Sequence, residues 1–590
     1  MEVSSPFRLP TKTPFRLGEH FTEWATGLSK LDKFYAERPA GCDTQQFLRF
    51  TLEVLGIDYQ VQKGTLAHVP ASGATVIVAN HPLGCVEGVI LAELLLQVRD
   101  DVQILANQYL KTVPELDRLF IGVDVFDGHN AHQANLTALR QAHQHLAKGG
   151  LLLLFPAGEV SQLVDKKSNK VTDKAWSHSV SRLIRKSRAT SVPIFIEGQN
   201  SKRFYLAGKV HPLLRTLLLG RELLNKTSDK ILLSIGSPIK YKEVNGLSDE
   251  QMTSYLRLNT YLQQDSTSNT SSPSMHTPPV PIDDPLPIED RLNDLASLNS
   301  DHLLLTNNEF DVYCTPSERI PSIMHEIGRL REINFRKAGE GTGRNLDIDS
   351  FDRDYLQLFI WDREKQTLVG AYRLGLVDQL IAKHGMTGLY SRTLFHFDQP
   401  FINSIGPAIE MGRSVIDEKY QKSMAPLLLL WKGISAYVER NPKYTHLFGP
   451  VSISNDYSER TRHLLAETMA LHHYQPEIAE FVTPSNPLPI KDKSWNTSML
   501  TALGDMQLLS RLIARIDEGK SVPVLLRQYL GLNGKLISFN VDPCFNNALD
   551  GLIMVDLRRV PLKTLARYMG SIEAEKYLKQ HGLIREYALD

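Results

Sequence analysis

Short apolar runs alternate with amphipathic stretches along the first half of the chain. TVIVA (75–79), LLLLF (151–155), VPIFIE (192–197) and ILLSIG (231–236) have strand length and almost no polar interruption. They predict strands buried on both faces. CVEGVILAELLLQV (85–98) and NLTALRQAHQHLA (135–147) lie between them and predict helices. Alternating units of this kind imply an α/β layer around a largely parallel sheet. In the second half, YLQLFIWD (355–362), TLVGAYRLG (367–375) and PAIEMGRSVI (407–416) predict consecutive strands, followed by a helix from Met424 to about Glu439. No repeat connects the halves, so two unlike domains are expected.

The division falls at Gln264–Pro287, QDSTSNTSSPSMHTPPVPIDDPLP, where Ser, Thr, Asn and Pro leave nothing to bury. We therefore expect a domain at about 1–262, a linker at 263–294 and a second domain at 295–590. A chain of 590 residues exceeds what one core supports, in agreement. Lys+Arg and Asp+Glu balance at 66 each, which removes any compositional argument for a nucleic-acid partner. Four widely separated cysteines show neither zinc spacing nor a disulfide framework. The first residues lack the apolar run of a signal peptide, and no apolar run approaches the ~20 residues that span a bilayer. Membrane contact is then expected to be peripheral, with PFRLPTKTPFRL (6–17) and the rim of the first site as candidates.

TVIVA runs into Asn80-His81-Pro82-Leu83-Gly84, and Glu87 opens the next helix. Pro82 and Gly84 predict a sharp turn that leaves His81 at the carboxyl end of the sheet, where ligands bind in α/β folds. Six residues on, Glu87 can reach back across the turn and hold one imidazole tautomer, freeing the other nitrogen to take a hydroxyl proton. This chemistry needs no metal. A lone His…Glu pair equally describes a capping histidine beside a surface glutamate, so the pair takes its meaning from the motifs around it.

NHPLGCVEG (80–88) resembles the first block of the glycerolipid acyltransferase superfamily, which includes the lysophospholipid acyltransferases. The usual pattern is His, four residues, Asp; here five residues separate His81 from Glu87, closer to the NHPLGG-(L/V)-D-G of amino-acid-lipid O-acyltransferases. LFIGVDVFDG (119–128), FPAGEVS (155–161, for FPEGTRS) and VPIFIEG (192–198) resemble the later blocks, in order. The resemblance spans about residues 70–240. It implies His81 and Glu87 as catalytic residues, with Asn80, Gly84, Phe155, Pro156, Gly158 and Glu159 on the substrate. Two phosphate-binding arginines of the superfamily are replaced near Val123 and at Val160, which implies an acceptor without a phosphate. Lys166 and Lys167 stand nearby as partial substitutes.

In the second half Arg331 and Phe335, Asp349 and Asp352, Arg373, then Glu410 and Arg413 occur in that order. Glu410 and Arg413 are three apart on a predicted strand and should face opposite ways; Gly412 between them invites a bulge that returns both to one face. Glu410 then becomes a candidate proton acceptor for an incoming amine, and Arg413 a holder of a carbonyl, a carboxylate or its partner acid. On an isolated strand the pair also describes a structural ion pair. The set resembles a GNAT-fold N-acyltransferase, in the branch of acyl-homoserine-lactone synthases and ornithine-lipid N-acyltransferases, and residues 522–557 resemble the far end of the ornithine-lipid type. The resemblance implies Glu410 and Arg413 as catalytic, with Arg331, Phe335, Asp349, Asp352 and Arg373 binding substrate. The Gly-rich pyrophosphate loop of coenzyme A-dependent GNAT enzymes is here Gln421-Lys422-Ser423-Met424-Ala425-Pro426, where Met replaces the first Gly and Pro removes a donor. That loss agrees with the resemblance, which implies acyl carrier protein as acyl donor in place of acyl-CoA, with no bound cofactor.

Together the halves resemble bifunctional ornithine-lipid synthases. That resemblance implies a glycerolipid-acyltransferase α/β domain and a GNAT-like mixed α/β domain, N-acylating an ornithine-like amino acid and then O-acylating the mono-acylated lipid, peripherally on the cytoplasmic face of a bacterial inner membrane. The alternatives are a lysophospholipid acyltransferase with an accessory GNAT domain, which an Arg beside FPAGE would support, and a membrane-bound regulator that has lost the chemistry.

Overall fold

A computed structural model describes residues 5–8, 17–123, 131–165, 170–210, 215, 217–226, 230–264, 279–490 and 493–583. Most of the 6–17 stretch, residues 124–128, Lys166 and Lys167 lie outside the described residues. The chain forms two α/β units: Met1–Asn269 with Asp492–Leu508, and Thr270–Lys491 with Leu509–Asp590.

In the first unit seven strands form one sheet in the order Asp58–Lys63, Lys230–Ile235, Thr190–Ile196, Thr75–Ala79, Leu151–Leu154, Val102–Asn107, Phe120–Val123. Every neighbouring pair is parallel except Thr190–Ile196 with Lys230–Ile235. The four apolar runs are thus strands, and Thr75–Ala79 is central and buried throughout. Helix Val86–Leu96 lacks a polar face because it is buried nearly all round, Glu87 and Glu93 included. Helix Asp249–Tyr261 is also buried along most of its length.

Two departures from the expected boundaries have packing reasons. Trp495, Met499, Leu500 and Leu503 are buried in a stretch grouped with the first unit, where Thr497–Gly504 packs on Asp249–Tyr261. The second domain is therefore not one continuous run. The expected linker is also shorter: Val280 N–H donates to the Gly343 carbonyl, and helix Ile288–Ser297 packs on helix Pro321–Lys337, whose first-turn Ser322 and Ile323 amides donate to the Asp294 carboxylate.

The second unit holds an eight-stranded sheet ordered Leu303–Asn307, Phe310–Pro316, Leu356–Asp362, Thr367–Leu376, Ala408–Ile416, His446–Ile453, Ala548–Asp556, Lys535–Asp542. Ala408–Ile416 and His446–Ile453 form its one parallel pair. Their ladder runs from Ala408↔His446 to Glu410↔Phe448 and stops, although both strands continue. Helix Ala425–Arg440 matches the expected 424–439 stretch closely.

Candidate functional sites

The first site grows from the end of strand Thr75–Ala79. Gly84 takes φ +97°, and a Cβ there would collide with Leu219, so the turn demands glycine. The turn brings His81 Nδ1 within 2.8 Å of Glu87 Oε1, which also accepts from the Leu83 and Gly84 amides at 2.9 Å each. A carboxylate can only accept, so Nδ1 carries the proton and Nε2 is left to act as a base. Burial of the fully enclosed Glu87 raises its pKa, but the His81 charge, the hydrogen bond to it and the backbone donors outweigh this and hold it below the usual carboxylate range. The adjacent Cys85 thiol is pushed up to about 12 by burial and the Glu87 charge, which removes it as a nucleophile.

Phe155 stacks on the His81 ring at 4.4 Å between centroids, fixing its plane. Pro156 is buried with its carbonyl accepting from Ser177 N–H, whereas Gly158 is exposed at φ +69° with open space around it. Asn80 has a different task from the expected one: its amide donates to the Ile196 carbonyl and accepts from the Ile196 N–H, stitching two strands together rather than facing a substrate. Asp173 belongs to none of the motifs. It accepts from the His81 N–H, Ser161 Oγ and Trp176 Nε1, tying the His81 turn to the FPAGEVS turn. Its distance of 92 residues from His81 hides it from any local pattern.

Glu159 lies between two cations, Lys174 Nζ and Arg215 Nη2, both at 2.5 Å. These pairs hold its pKa down against the effect of burial. Arg215 thus places a guanidinium beside the FPAGE turn from a segment outside the recognisable blocks.

In the second unit a ladder of alternating charges crosses the sheet. Arg331 donates to Asp352 at 2.9 Å and to Gln357 at 2.8 Å; Arg373 donates to Asp349 at 2.7 Å and lies 3.4 Å from Asp352. Arg413 Nε then meets Asp347 at 3.0 Å, and its Nη2 lies 3.7 Å from Asp349. Burial works against ionised Asp352, yet Arg331 and Arg373 hold it down at about 2. Arg331, Arg373 and Asp352 are all enclosed, with Arg373 keeping Nε and Nη2 without hydrogen bonds, while Asp349 is partly open. Phe335 packs edge-on against Phe545, whose ring lies 4.7 Å from the Arg413 guanidinium.

The expected bulge is present: the pairing steps from Arg373↔Gly412 to Ala371↔Val415, one residue longer on the Ala408–Ile416 strand. Its left-handed residue is Arg413, at φ +52°, and not Gly412. The bulge brings both side chains to Tyr390. Arg413 donates to the Tyr390 hydroxyl at 3.1 Å, and Glu410 accepts from the Tyr390 N–H at 3.1 Å, the Ser391 N–H at 2.6 Å and the Tyr355 hydroxyl. Glu410 is buried, with every one of these contacts made by the protein itself. In this geometry it anchors the turn that carries Tyr390 instead of standing open as a base. Facing Arg413 are further acids that no motif marks. Burial and then the neighbouring acids push Asp550 up to about 8, against a Ser452 hydrogen bond and the Arg413 charge; burial and Asp456 push Glu340 to about 7, and burial raises Asp542.

Comparison with known proteins accords with two unlike α/β units. An acyltransferase family model matches residues 33–270, and a model of the GNAT acetyltransferase domain matches residues 330–431. Glycine N(alpha)-acyltransferase of Bacteroides thetaiotaomicron is 32% identical over 261 residues, covering 41% of this chain and 76% of that protein. The chain belongs to this acyltransferase family. The acyltransferase is also 28% identical to glycine N(alpha)-acyltransferase of Phocaeicola vulgatus, over 48% of this chain and 91% of that protein. Lyso-glycine lipid O-acyltransferase of Phocaeicola vulgatus is 26% identical over 33% of this chain and 69% of its own length. Homology to both N- and O-acyltransferases accompanies a glycerolipid-type α/β unit and a GNAT unit in one acyltransferase.

Proposed function

We propose that the acyltransferase performs two successive acyl transfers that build an amino-acid lipid. The second unit attaches a 3-hydroxyacyl chain from acyl carrier protein to the α-amine of an amino acid, and the first unit esterifies the new chain's hydroxyl. The 2.8 Å His81–Glu87 contact carries the ester step. His81 Nε2 takes the hydroxyl proton as the oxygen attacks the thioester carbonyl, Glu87 steadies the imidazolium, and the proton passes to the departing thiol. For the amide step, Arg413, whose side chain alone of the three ladder arginines keeps some exposure, suits the carboxylate of the amino acid. Fusion raises the local concentration of the first product at the second site.

Ornithine is favoured over glycine, the amino acid in the relatives' names, by the acids around Arg413. Burial biases Glu340, Asp542 and Asp550 toward their neutral forms, and a side-chain ammonium placed among them would draw them back to the ionised form and pair with it. The phospholipid alternative is favoured by one observation, Arg215 beside FPAGE. Glu159 with Lys174 and Arg215 sums to one positive charge, however, which suits a monoanionic carboxylate better than a phosphate monoester of about −1.5 to −2. Among the described residues no helix is long and apolar enough to cross a membrane, and we place the enzyme peripherally on the cytoplasmic face of the bilayer. Lipid mass spectrometry after expression in a host without amino-acid lipids tests the proposal. A diacylated ornithine lipid is expected; a diacylated glycine lipid would reject the ornithine assignment, and new phospholipid species alone would reject the two-step reading.

A further inference from the structure

Of the large apolar side chains among the described residues of the first unit, four stand exposed: Trp24 (70%), Leu136, Leu206 (60%) and Leu217 (52%). Three of them lie on one group of packed segments. Helix Lys202–Val210 touches the segment after it where a Cβ on Gly208 would meet Arg215 Cδ at 3.1 Å. Helix Leu219–Leu224 in turn packs on the end of helix Leu17–Thr26, where Gly220 approaches the Thr26 carbonyl and Gly27 approaches the Arg221 backbone. The inner side of the group is apolar and belongs to the His81 site: Phe204 and Tyr205 are buried with Val160, and Leu219 fills the space beside Gly84.

The outer side has a different composition. Lys202 and Arg203 are exposed one helical turn before Leu206, and Arg221 is exposed four residues after Leu217. Apolar side chains ringed by cations, with no exposed acid on helix Lys202–Val210, match the anionic surface of a bilayer: apolar tips for the acyl boundary and cations for phosphate headgroups. We infer that Leu206 and Leu217, flanked by Lys202, Arg203 and Arg221, form the face by which the acyltransferase docks on an anionic phospholipid bilayer, directly over the His81 site. This rests on the reading that the first unit acts on an amphiphilic acceptor, which would enter the site from that surface.

The test is flotation of the full-length protein with vesicles of phosphatidylglycerol and phosphatidylcholine, compared with phosphatidylcholine alone. Wild type is expected to float with the anionic vesicles and to be released by salt. Lys202→Gln with Arg203→Gln should lower the partition coefficient about thirtyfold, at roughly one headgroup attraction per cation. Leu206→Glu with Leu217→Glu should abolish flotation. Thermal unfolding and O-acylation of a water-soluble, short-chain N-(3-hydroxyacyl) amino acid should stay unchanged in both variants, since these side chains point away from the core. Flotation of either variant at the wild-type level, or no flotation of wild type, overturns the inference, as does loss of soluble-acceptor activity. Absence of soluble-acceptor activity in wild type would instead count against the parent reading, and flotation would still decide the docking face.

Discussion

Arg413 sits in the left-handed region, at φ +52°, and from there donates to the Tyr390 hydroxyl at 3.1 Å. A non-glycine residue adopts that backbone only when its surroundings over-determine it. Here the surroundings are the ion pair to Asp347, the ring of Phe545 and the Tyr390 turn, itself pinned by Glu410 through the Tyr390 and Ser391 amides. Glu410 and Arg413 therefore act as one unit through Tyr390.

Amide formation should depend on that unit. Arg413→Lys keeps the charge and loses the planar fork, so amide formation should drop roughly 10- to 150-fold, the value of a hydrogen bond to a charged group. Tyr390→Phe removes one such hydrogen bond to the Arg413 cation and should cost about tenfold or more. Glu410→Gln places an amide N–H₂ against a backbone donor in either flip, Ser391 N–H at one oxygen position or Tyr390 N–H at the other, and should lower thermal stability as well as amide formation. Synthetic mono-acylated amino acid supplied to any of the three should restore the diacyl lipid through His81. Mass spectrometry of the lipids checks this, and normal amide yield from Arg413→Lys would remove Arg413 from the machinery.

Ester formation should depend on His81 alone among the imidazoles. His81→Ala should reduce it about 10²- to 10⁴-fold while amide formation continues, so that the mono-acylated intermediate accumulates. Glu87→Gln keeps an oxygen for the Leu83 and Gly84 amides and loses the charge that steadies the imidazolium, so kcat should fall with the fold intact. Because the folded pKa of Glu87 is depressed, its contribution to stability is present above the ordinary carboxylate pKa and lost as pH falls through the folded value. Thermal melts in acid should therefore separate wild type from Glu87→Gln less than melts at neutral pH.

Asp550 gives the opposite pH dependence. Its folded pKa, about 8, lies above the ordinary aspartate value of about 3.9, so the native state holds a proton that the unfolded chain releases. Stability then declines as pH rises from about 4 to about 8. Asp550→Asn preserves an acceptor for Ser452 Oγ and removes that titration. Its melting temperature should rise above that of wild type at pH 9 and approach it as pH falls to about 4; parallel pH profiles would show that Asp550 is ionised throughout.

The buried stretch Trp495–Leu503 should be needed by the first unit. A fragment of residues 1–269 lacks the buried Trp495, Met499, Leu500 and Leu503 of this stretch and should lose several kcal/mol, at about 1.5–3 kcal/mol per buried large apolar side chain. Joining residues 493–508 to the same fragment should restore a cooperative melt. Equal melting of the two fragments would show that the stretch is passive.

The elements and the His81 site were legible because their determinants are local. Apolar runs of strand length became the strands they predicted, and a six-residue offset across a Pro–Gly turn suffices to bring Glu87 to His81. The ordered acids and arginines of the second half likewise marked a GNAT unit before any contact was known. What those residues touch was decided by tertiary packing. Asn80 reads as a site residue in its motif, yet the strand beside it claims its amide; Glu410 reads as a base, yet the turn at 390–391 surrounds it. Asp173, Arg215, Tyr390 and Asp550 reach their sites across long stretches of chain, and no spacing rule records such distances. Hydrogen-bond partners, burial and charge balance depend on which surfaces meet after the sheets assemble. The sequence determined the period of each element and the chemical groups present; only the packing within each folded unit decided which groups lose water, and so which carboxylates stay ionised and which become neutral.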